Sequence, residues 1–247
     1  NLRRQRQMCI RDREGAEALP HLGMLRFPKI YPEYTNARVL VAEFLPAPSV
    51  RRRLHEGDFG YEALLNLFRI HGYFLFFRGV FHGDLHPGNV HYDGDSFWFI
   101  DNANVEVVPE GFTRGLLAFL GKLGEGDYCE AARTLEGLAV EPLGDNRVFL
   151  RAFENLYRDF GVKPGGELSL TNQMMETVKL AVHEGLEFPR GAFSVIKSLM
   201  YLDGIALRCA PEKRLLEDVL AFGDDLSVLA PAESGTGGAS SVRTSAA

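Results

Sequence analysis

Cysteine is scarce and scattered in this sequence. Its 247 residues hold three, Cys9, Cys129 and Cys209, an odd number without a C-x-x-C pair. Neither a disulfide framework nor a zinc site is supported, and a reducing, cytoplasmic compartment fits best. Positive charge is also short: 27 Lys and Arg stand against 33 Asp and Glu, a formal net charge of -6. A nucleic-acid-binding domain normally carries the opposite balance, so no nucleic-acid partner is expected. The basic runs, Arg3-Arg4 and Arg51-Arg52-Arg53, are short, and the second reads as the solvated start of a helix. Long apolar runs are missing too. The densest, "YFLFF" at 73–77, falls far below the ~18–20 residues of a membrane-spanning helix. With 46% hydrophobic residues the chain can still bury a sizeable core.

The two ends read differently from the rest. "NLRRQRQMCIRDR" begins without Met, shows no hydrophobic period and resembles translated adapter sequence. Residues 1–12 are therefore expected to be a non-native or disordered leader, with the native chain extending further upstream. At the other end, residues 226–247, with "AESGTGGASSVRTSAA", are small and polar and are expected to be disordered.

Between them, apolar residues at Ala16, Leu19, Leu22 and Leu25 predict a short amphipathic helix over 13–25, interrupted by Pro20. "PKIYPEY" and "ARVLVAEFL", separated by Thr35-Asn36, predict two strands in a hairpin. A helix follows over 49–55 with Ser49 as its cap, then a longer one over 59–78 ended by Gly79. "NVHYDG" and "DSFWFID" alternate around Asp93-Gly94-Asp95, a hairpin signal. Beyond Pro109 only helical periods recur, over 110–123, 128–138, 145–160, 169–187, 191–209 and 211–222. The fold class is α+β, and there is no internal repeat.

The chemistry gathers around that second hairpin. "FHGDLHPGN" at 81–89 precedes it, and the apolar strand "FWFI" ends in Asp101. In protein kinases a catalytic-loop Asp accepts the substrate proton, an Asn five positions on binds magnesium, and a second Asp after a strand binds the phosphate-bridging metal. Asp84 and Asn89 have that spacing, and Asp101 follows the strand. The transferred phosphoryl group spreads negative charge over its oxygens, and hard oxygen ligands hold the divalent cations that neutralise it. Asp84 is thus the candidate catalytic acid, with Asn89 and Asp101 the candidate metal ligands. His82 stands at the position of the kinase-motif histidine, where it braces the loop. An isolated D-x-x-x-x-N carries little information. The whole string, set between a long helix and a hairpin ending in Asp, carries much more. As turn residues, all three could instead satisfy local amides.

The order of elements upstream agrees with a kinase. Glu14, in the first predicted helix, stands where the αC glutamate pairs with a phosphate-binding lysine, although taken alone it reads better as an exposed first-turn Glu favoured by the helix dipole. Ala42 falls at the gatekeeper place, and the backbone of Glu43 and Leu45 is offered to an adenine.

These stretches resemble the UbiB/AarF atypical kinase-like family. "FPKIYPEYTNARVLVAEFL" is similar to that family's proline-rich strand followed by its strand before the hinge, and "FRGVFHGDLHPGNV" to its catalytic segment. "EGFTRGLLAFLGKLGEGDY" and "FPRGAFSVIKSLMYLDGIALRCAPE" resemble its later helices, so the likeness runs from about Arg13 to Phe222. It implies a protein-kinase-like fold, with residues 13–45 as a partial N-lobe (αC, two strands and the hinge) and 46–225 as a helical C-lobe. It implies ATP and Mg2+ as cofactors, atypical kinase or ATPase activity, and a role in quinone or lipid metabolism. It implies lipid or quinone-pathway protein partners and peripheral contact with the inner face of a bacterial membrane. The pattern is not matched throughout. Asp101-Asn102-Ala103 stands in place of Asp-Phe-Gly, and Met8 and Ile10 stand where an E-x-D signature would precede Glu14. The sequence opens at αC, before which the phosphate loop, the strand-three Lys and the K-x-G-Q segment would lie, so this fragment is expected to bind ATP weakly. Two other readings fit the same loop: a small-molecule phosphotransferase of the aminoglycoside, choline or lipopolysaccharide-sugar kinase type, and a catalytically idle pseudokinase scaffold.

Overall fold

The computed structural model describes residues 23–36, 38–101, 105–108, 111–162 and 170–213. Five short strands and seven α-helices fill them. Strand β1 is Leu25–Arg26, followed by a 3-10 turn over Pro32–Tyr34. Helix α1 (Val50–Glu56) and helix α2 (Tyr61–Gly72) come next, and α2 runs into a π-helical turn over Tyr73–Phe77. Strands β2 (Val80–His82), β3 (Val90–Tyr92), β4 (Phe97–Phe99) and β5 (Val105–Val107) surround the polar loops. The remainder is helical: α3 (Phe112–Glu125), α4 (Tyr128–Glu136), α5 (Arg147–Val162), α6 (Leu170–His183) and α7 (Ala192–Cys209).

The hairpin around Asp93-Gly94-Asp95 forms as its sequence predicts. Asp93 Oδ1 accepts from the N–H groups of Asp95 and Ser96, an Asx turn that Gly94 completes with positive φ. The register pairs Val90 with Phe99 and Tyr92 with Phe97, whose rings stack at 4.4 Å. β4 also pairs in parallel with β1, Leu25 opposite Phe97. Leu25 is therefore a buried strand residue, not the last residue of the helix expected over 13–25; residues 13–22 of that expected helix lie outside the described residues.

The hairpin expected from "PKIYPEY" and "ARVLVAEFL" shrinks to a single antiparallel bridge, Ile30 with Ala42. Two bonds flank it, Tyr31 N to Val41 O at 3.0 Å and Glu43 N to Lys29 O at 2.7 Å. Proline explains the difference. Pro32 has no N–H to extend the ladder and its fixed φ opens the 3-10 turn instead. Strands β2 and β5, unpredicted, pair antiparallel with His82 opposite Val105.

Ser49 caps α1, its Oγ accepting from Arg52 N, and Gly57 ends that helix at φ 70°. α2 buries Leu64, Leu67, Phe68, Ile70 and His71, and the π turn then buries four residues in succession, Tyr73 to Phe76. Such a run is covered on several sides: α3 packs against the turn, β2 follows it, and α7 packs against α2. The helical layer has its own core. Phe149, Phe153 and Tyr157 recur every four residues along α5; the first pair meets edge to face and the second stacks at 4.7 Å. Tyr157 then donates to Thr177 of α6 at 2.8 Å, because the Thr177 hydroxyl is itself committed to Gln173 O. Each fully buried phenylalanine stabilises this layer by roughly 1.5–3 kcal/mol. Among the described residues no helix is long and apolar enough to cross a membrane.

Candidate active site

Ile100 is the node from which the site is built. The β3–β4 register places Asn89 opposite Ile100, and the Ile100 N–H donates to Asn89 O at 3.0 Å. On the other side His82 Nε2 meets Ile100 O at 3.1 Å. The tautomer follows from the second ring nitrogen: Asp84 N–H donates to His82 Nδ1 at 3.2 Å, so the proton sits on Nε2. Burial holds the His82 pKa below the ordinary histidine value, against the pull of the Ile100 carbonyl and of the Asp84 and Asp101 charges. A neutral, buried His82 thus joins the loop after β2 to the strand that ends in Asp101.

Asp84 is the most heavily bonded acid in the site. Its Oδ1 accepts from Tyr201 Oη at 3.2 Å and pairs with Lys197 Nζ at 3.1 Å. Its Oδ2 and its carbonyl both accept from Asn89 Nδ2, at 3.3 and 3.0 Å. Burial opposes ionisation here, yet the Lys197 and Tyr201 contacts outweigh it and hold the carboxyl below the usual range. Asp84 is a carboxylate at neutral pH. Because Asn89 spends its NH2 on Asp84, its amide oxygen is the atom left for a ligand.

Asp101 carries a backbone signature as well as a carboxylate. At φ 53° it is the one non-glycine residue with positive φ among the described residues. Asp and Asn tolerate that left-handed conformation better than other side chains, through local hydrogen bonding. It lies exposed, one residue beyond Ile100. Asn102 and Ala103, which replace the expected Phe and Gly, lie outside the described residues, and so does Glu14.

The residues expected at a hinge, 42–45, have contacts of their own. Glu43 is locked to Lys29 twice, its N–H on Lys29 O and its Oε2 accepting from Lys29 N at 3.0 Å. The carbonyl of Glu43 and the backbone of Leu45 are what this segment has for a base edge. Ala42 is exposed beside it, and Phe44 is 86% exposed. Among the described residues no hydrogen bond joins 42–45 to the Asp84 loop. The two are linked through 47–51: His91 Nδ1 donates to Ala47 O, Tyr92 N to Pro48 O, and Arg51 N to Pro87 O.

Three functional candidates escaped the sequence reading. Arg51 was read as part of a solvated run, but its guanidinium meets His86 Nδ1 at 2.9 Å, where Gly88 N–H also donates at 3.1 Å. Burial, then the Arg51 charge, lowers the His86 pKa, so this ring is neutral. Arg53 of the same run is also engaged, donating to Tyr92 O at 2.7 Å. Lys197 and Tyr201 are the other two, one turn apart on α7, with Tyr201 also edge-on to His86 at 5.3 Å. Their i, i+4 spacing marks them as one helix face, but nothing in the sequence connects that face to a loop 117 residues earlier.

Among the described residues no group of three His, Cys, Asp or Glu side chains is gathered to hold a metal alone. That suits Mg2+, which keeps several waters and takes one or two carboxylates plus substrate phosphates. An amide oxygen at Asn89, whose backbone pairs with Ile100, and the carboxylate of Asp101 one residue further on are hard-oxygen donors of that kind.

A family model described as the ABC1 atypical kinase-like domain matches residues 10–135. An uncharacterized protein of Synechocystis is 27% identical over 220 residues, covering 85% of this chain and 38% of that protein. A probable protein kinase UbiB of Pasteurella multocida is 24% identical over 236 residues, covering 90% of this chain and 43% of that protein. An aarF domain-containing protein kinase of the Arabidopsis chloroplast, itself uncharacterized, is 24% identical over 195 residues, covering 76% and 27%. The chain spans about two-fifths or less of the length of the curated relatives it matches. The matched family region takes in both polar loops, the hairpin between them and just over half of the sequence, and the protein belongs to the ABC1 atypical kinase-like family.

Proposed function

We propose that this chain carries the metal and catalytic half of an ATP- and Mg2+-dependent phosphotransferase or ATPase of the UbiB type, serving quinone or lipid metabolism. The observation that supports the reading is the joint at Ile100, the residue before Asp101, whose N–H donates to Asn89 O and whose carbonyl meets His82, while Asn89 Nδ2 donates to the ionised Asp84. Residues 46–225 act as the C-lobe, and 13–45 belong to the N-lobe that covers the nucleotide. Asn89 Oδ1 and the Asp101 carboxylate would hold Mg2+, which when bound neutralises charge on the phosphate oxygens. Asp84 takes the proton of the attacking hydroxyl or water as its oxygen bonds to the γ-phosphorus. The bond from that phosphorus to the bridging oxygen breaks, and ADP leaves with the electron pair. Neutral His82 keeps the two loops in register throughout.

The test is Asp101→Asn in the full-length protein. Asn tolerates the φ of 53°, so this variant removes charge without the backbone strain of about 1–2 kcal/mol that Asp101→Ala would add. Mg2+-dependent stabilisation of the protein by ATP is expected to disappear, and turnover with it. An unchanged magnesium titration with wild-type turnover would refute the assignment.

A further inference from the structure

Resting on the phosphotransferase reading, we infer that α7 completes the catalytic centre: Lys197 is the cation that meets the transferring phosphoryl group, and Tyr201 is the positioning residue that aims Asp84. Both side chains lie beyond the stretch matched by the family model, which ends at residue 135.

The argument is one of placement. A hydroxyl delivered to Asp84 would sit ~2.7 Å from a carboxylate oxygen. Lys197 Nζ is 3.1 Å from Oδ1 of that carboxylate, so the ammonium stands beside the attacking oxygen and the phosphorus it reaches. Among the described residues, the side chains bonded to the Asp84 carboxylate are Asn89, Lys197 and Tyr201, and of these Lys197 alone is charged. The other basic groups nearby are unsuited: His86 is neutral, and Arg51 is spent on His86. Lys197 is 49% exposed, open enough to meet a substrate, and an exposed pair of this kind adds little to stability. Its position is nevertheless restrained. The ammonium lies 5.8 Å from the Tyr201 ring centroid, and the next residue, Ser198, is buried against His71 of α2. Fixed positive charge aimed where negative charge develops is what lowers a phosphoryl-transfer barrier.

The experiment compares Lys197→Met, Lys197→Arg and Tyr201→Phe in the full-length protein, measuring ADP release from Mg-ATP and Mg-ATP affinity separately. Lys197→Met is expected to lose about 100-fold in kcat, the scale for removing one charge-stabilising donor, with affinity changed much less. Lys197→Arg should recover part of the rate, because the charge remains. Tyr201→Phe should lower kcat with KM unchanged. Wild-type turnover in Lys197→Met overturns the inference. So do equal losses of rate, affinity and Tm in both lysine variants, which mark a structural ion pair. Mg-ATP binding without turnover in the parent protein overturns it while the metal site stands. Absence of any Mg2+-dependent ATP binding removes the parent reading and this one together.

Discussion

Acidification should loosen the joint between α2 and α7 through one histidine. His71 is fully buried, and its Nε2 lies 2.9 Å from Ser198 Oγ. The Ser198 hydroxyl donates to Val195 O at 2.7 Å, so the histidine must be the donor. Burial first, and the nearby His82 second, lower its pKa from 6.5 to about 3. The unfolded chain takes up a proton at this side chain near pH 6.5, while the folded chain resists it down to about pH 3. Above 6.5 neither form is protonated and the group has no pH effect. Below it stability falls, at a slope approaching 1.4 kcal/mol per pH unit. Between pH 6.5 and about 4.5 the loss amounts to about 2 kcal/mol, the first half unit counting for less. Urea unfolding at several pH values, for the wild type and His71→Gln, isolates this contribution. Gln keeps a donor but cannot titrate, and the carboxylates shared by both proteins cancel in the difference. The wild type should lose about 2 kcal/mol more than the variant over that interval. Parallel stability curves would refute the buried, neutral assignment.

Other outcomes follow from packing and capping. Gly115→Ala in α3 should gain up to ~1 kcal/mol in helix propensity and lose more, roughly 1–3 kcal/mol, to overpacking, because the new Cβ would run into the Cδ2 methyl of the buried Leu138 side chain. A variant more stable to urea than the parent would contradict the α3–Leu138 packing. Ser49→Ala removes the α1 cap and should cost about 1 kcal/mol, with Ser49→Asp restoring it. If unfolding midpoints of all three coincide, the cap is not formed. The Asp101 and Lys197 substitutions described above complete the set.

Much of the fold is legible in local sequence signals. The cap at Ser49, the Asp93-Gly94 turn and the period of Phe149, Phe153 and Tyr157 each act within a few residues, so each element forms close to where its own pattern puts it. What was misread depends on distant partners. Leu25 has the spacing of a helix residue, but the free edge of β4 draws it into a parallel pair with Phe97, and no local pattern reports that edge. β2 and β5 are three residues each, too short for alternation to show, and become strands because they face each other. Pro32 is the opposite case. The backbone constraint was visible, yet the β-branched and aromatic neighbours outweighed it in the reading although they could not in the chain.

The site divides along the same line, and the division has a mechanistic consequence. Asp84, Asn89 and Asp101 were recognisable because a loop and a hairpin hold them within 18 positions, and the hairpin register alone carries Asn89 to Ile100. Lys197 and Tyr201 were not, because their approach depends on how α7 packs across α2, and four other helices, α3 to α6, lie in the chain between. Asp84 therefore belongs to one part of the chain and its charge partner Lys197 to another. One hydrogen bond between α2 and α7 joins His71 to Ser198, one residue from Lys197. A perturbation at that buried pair should thus reach Asp84 through Lys197 without touching the hairpin. Ser198→Ala, which strands the His71 N–H, should lower stability by about 1–3 kcal/mol. It should also weaken catalysis in the full-length protein more than Mg2+ binding. Equal losses in both would mean that α7 and the metal loop respond as one unit, contrary to the geometry that separates them.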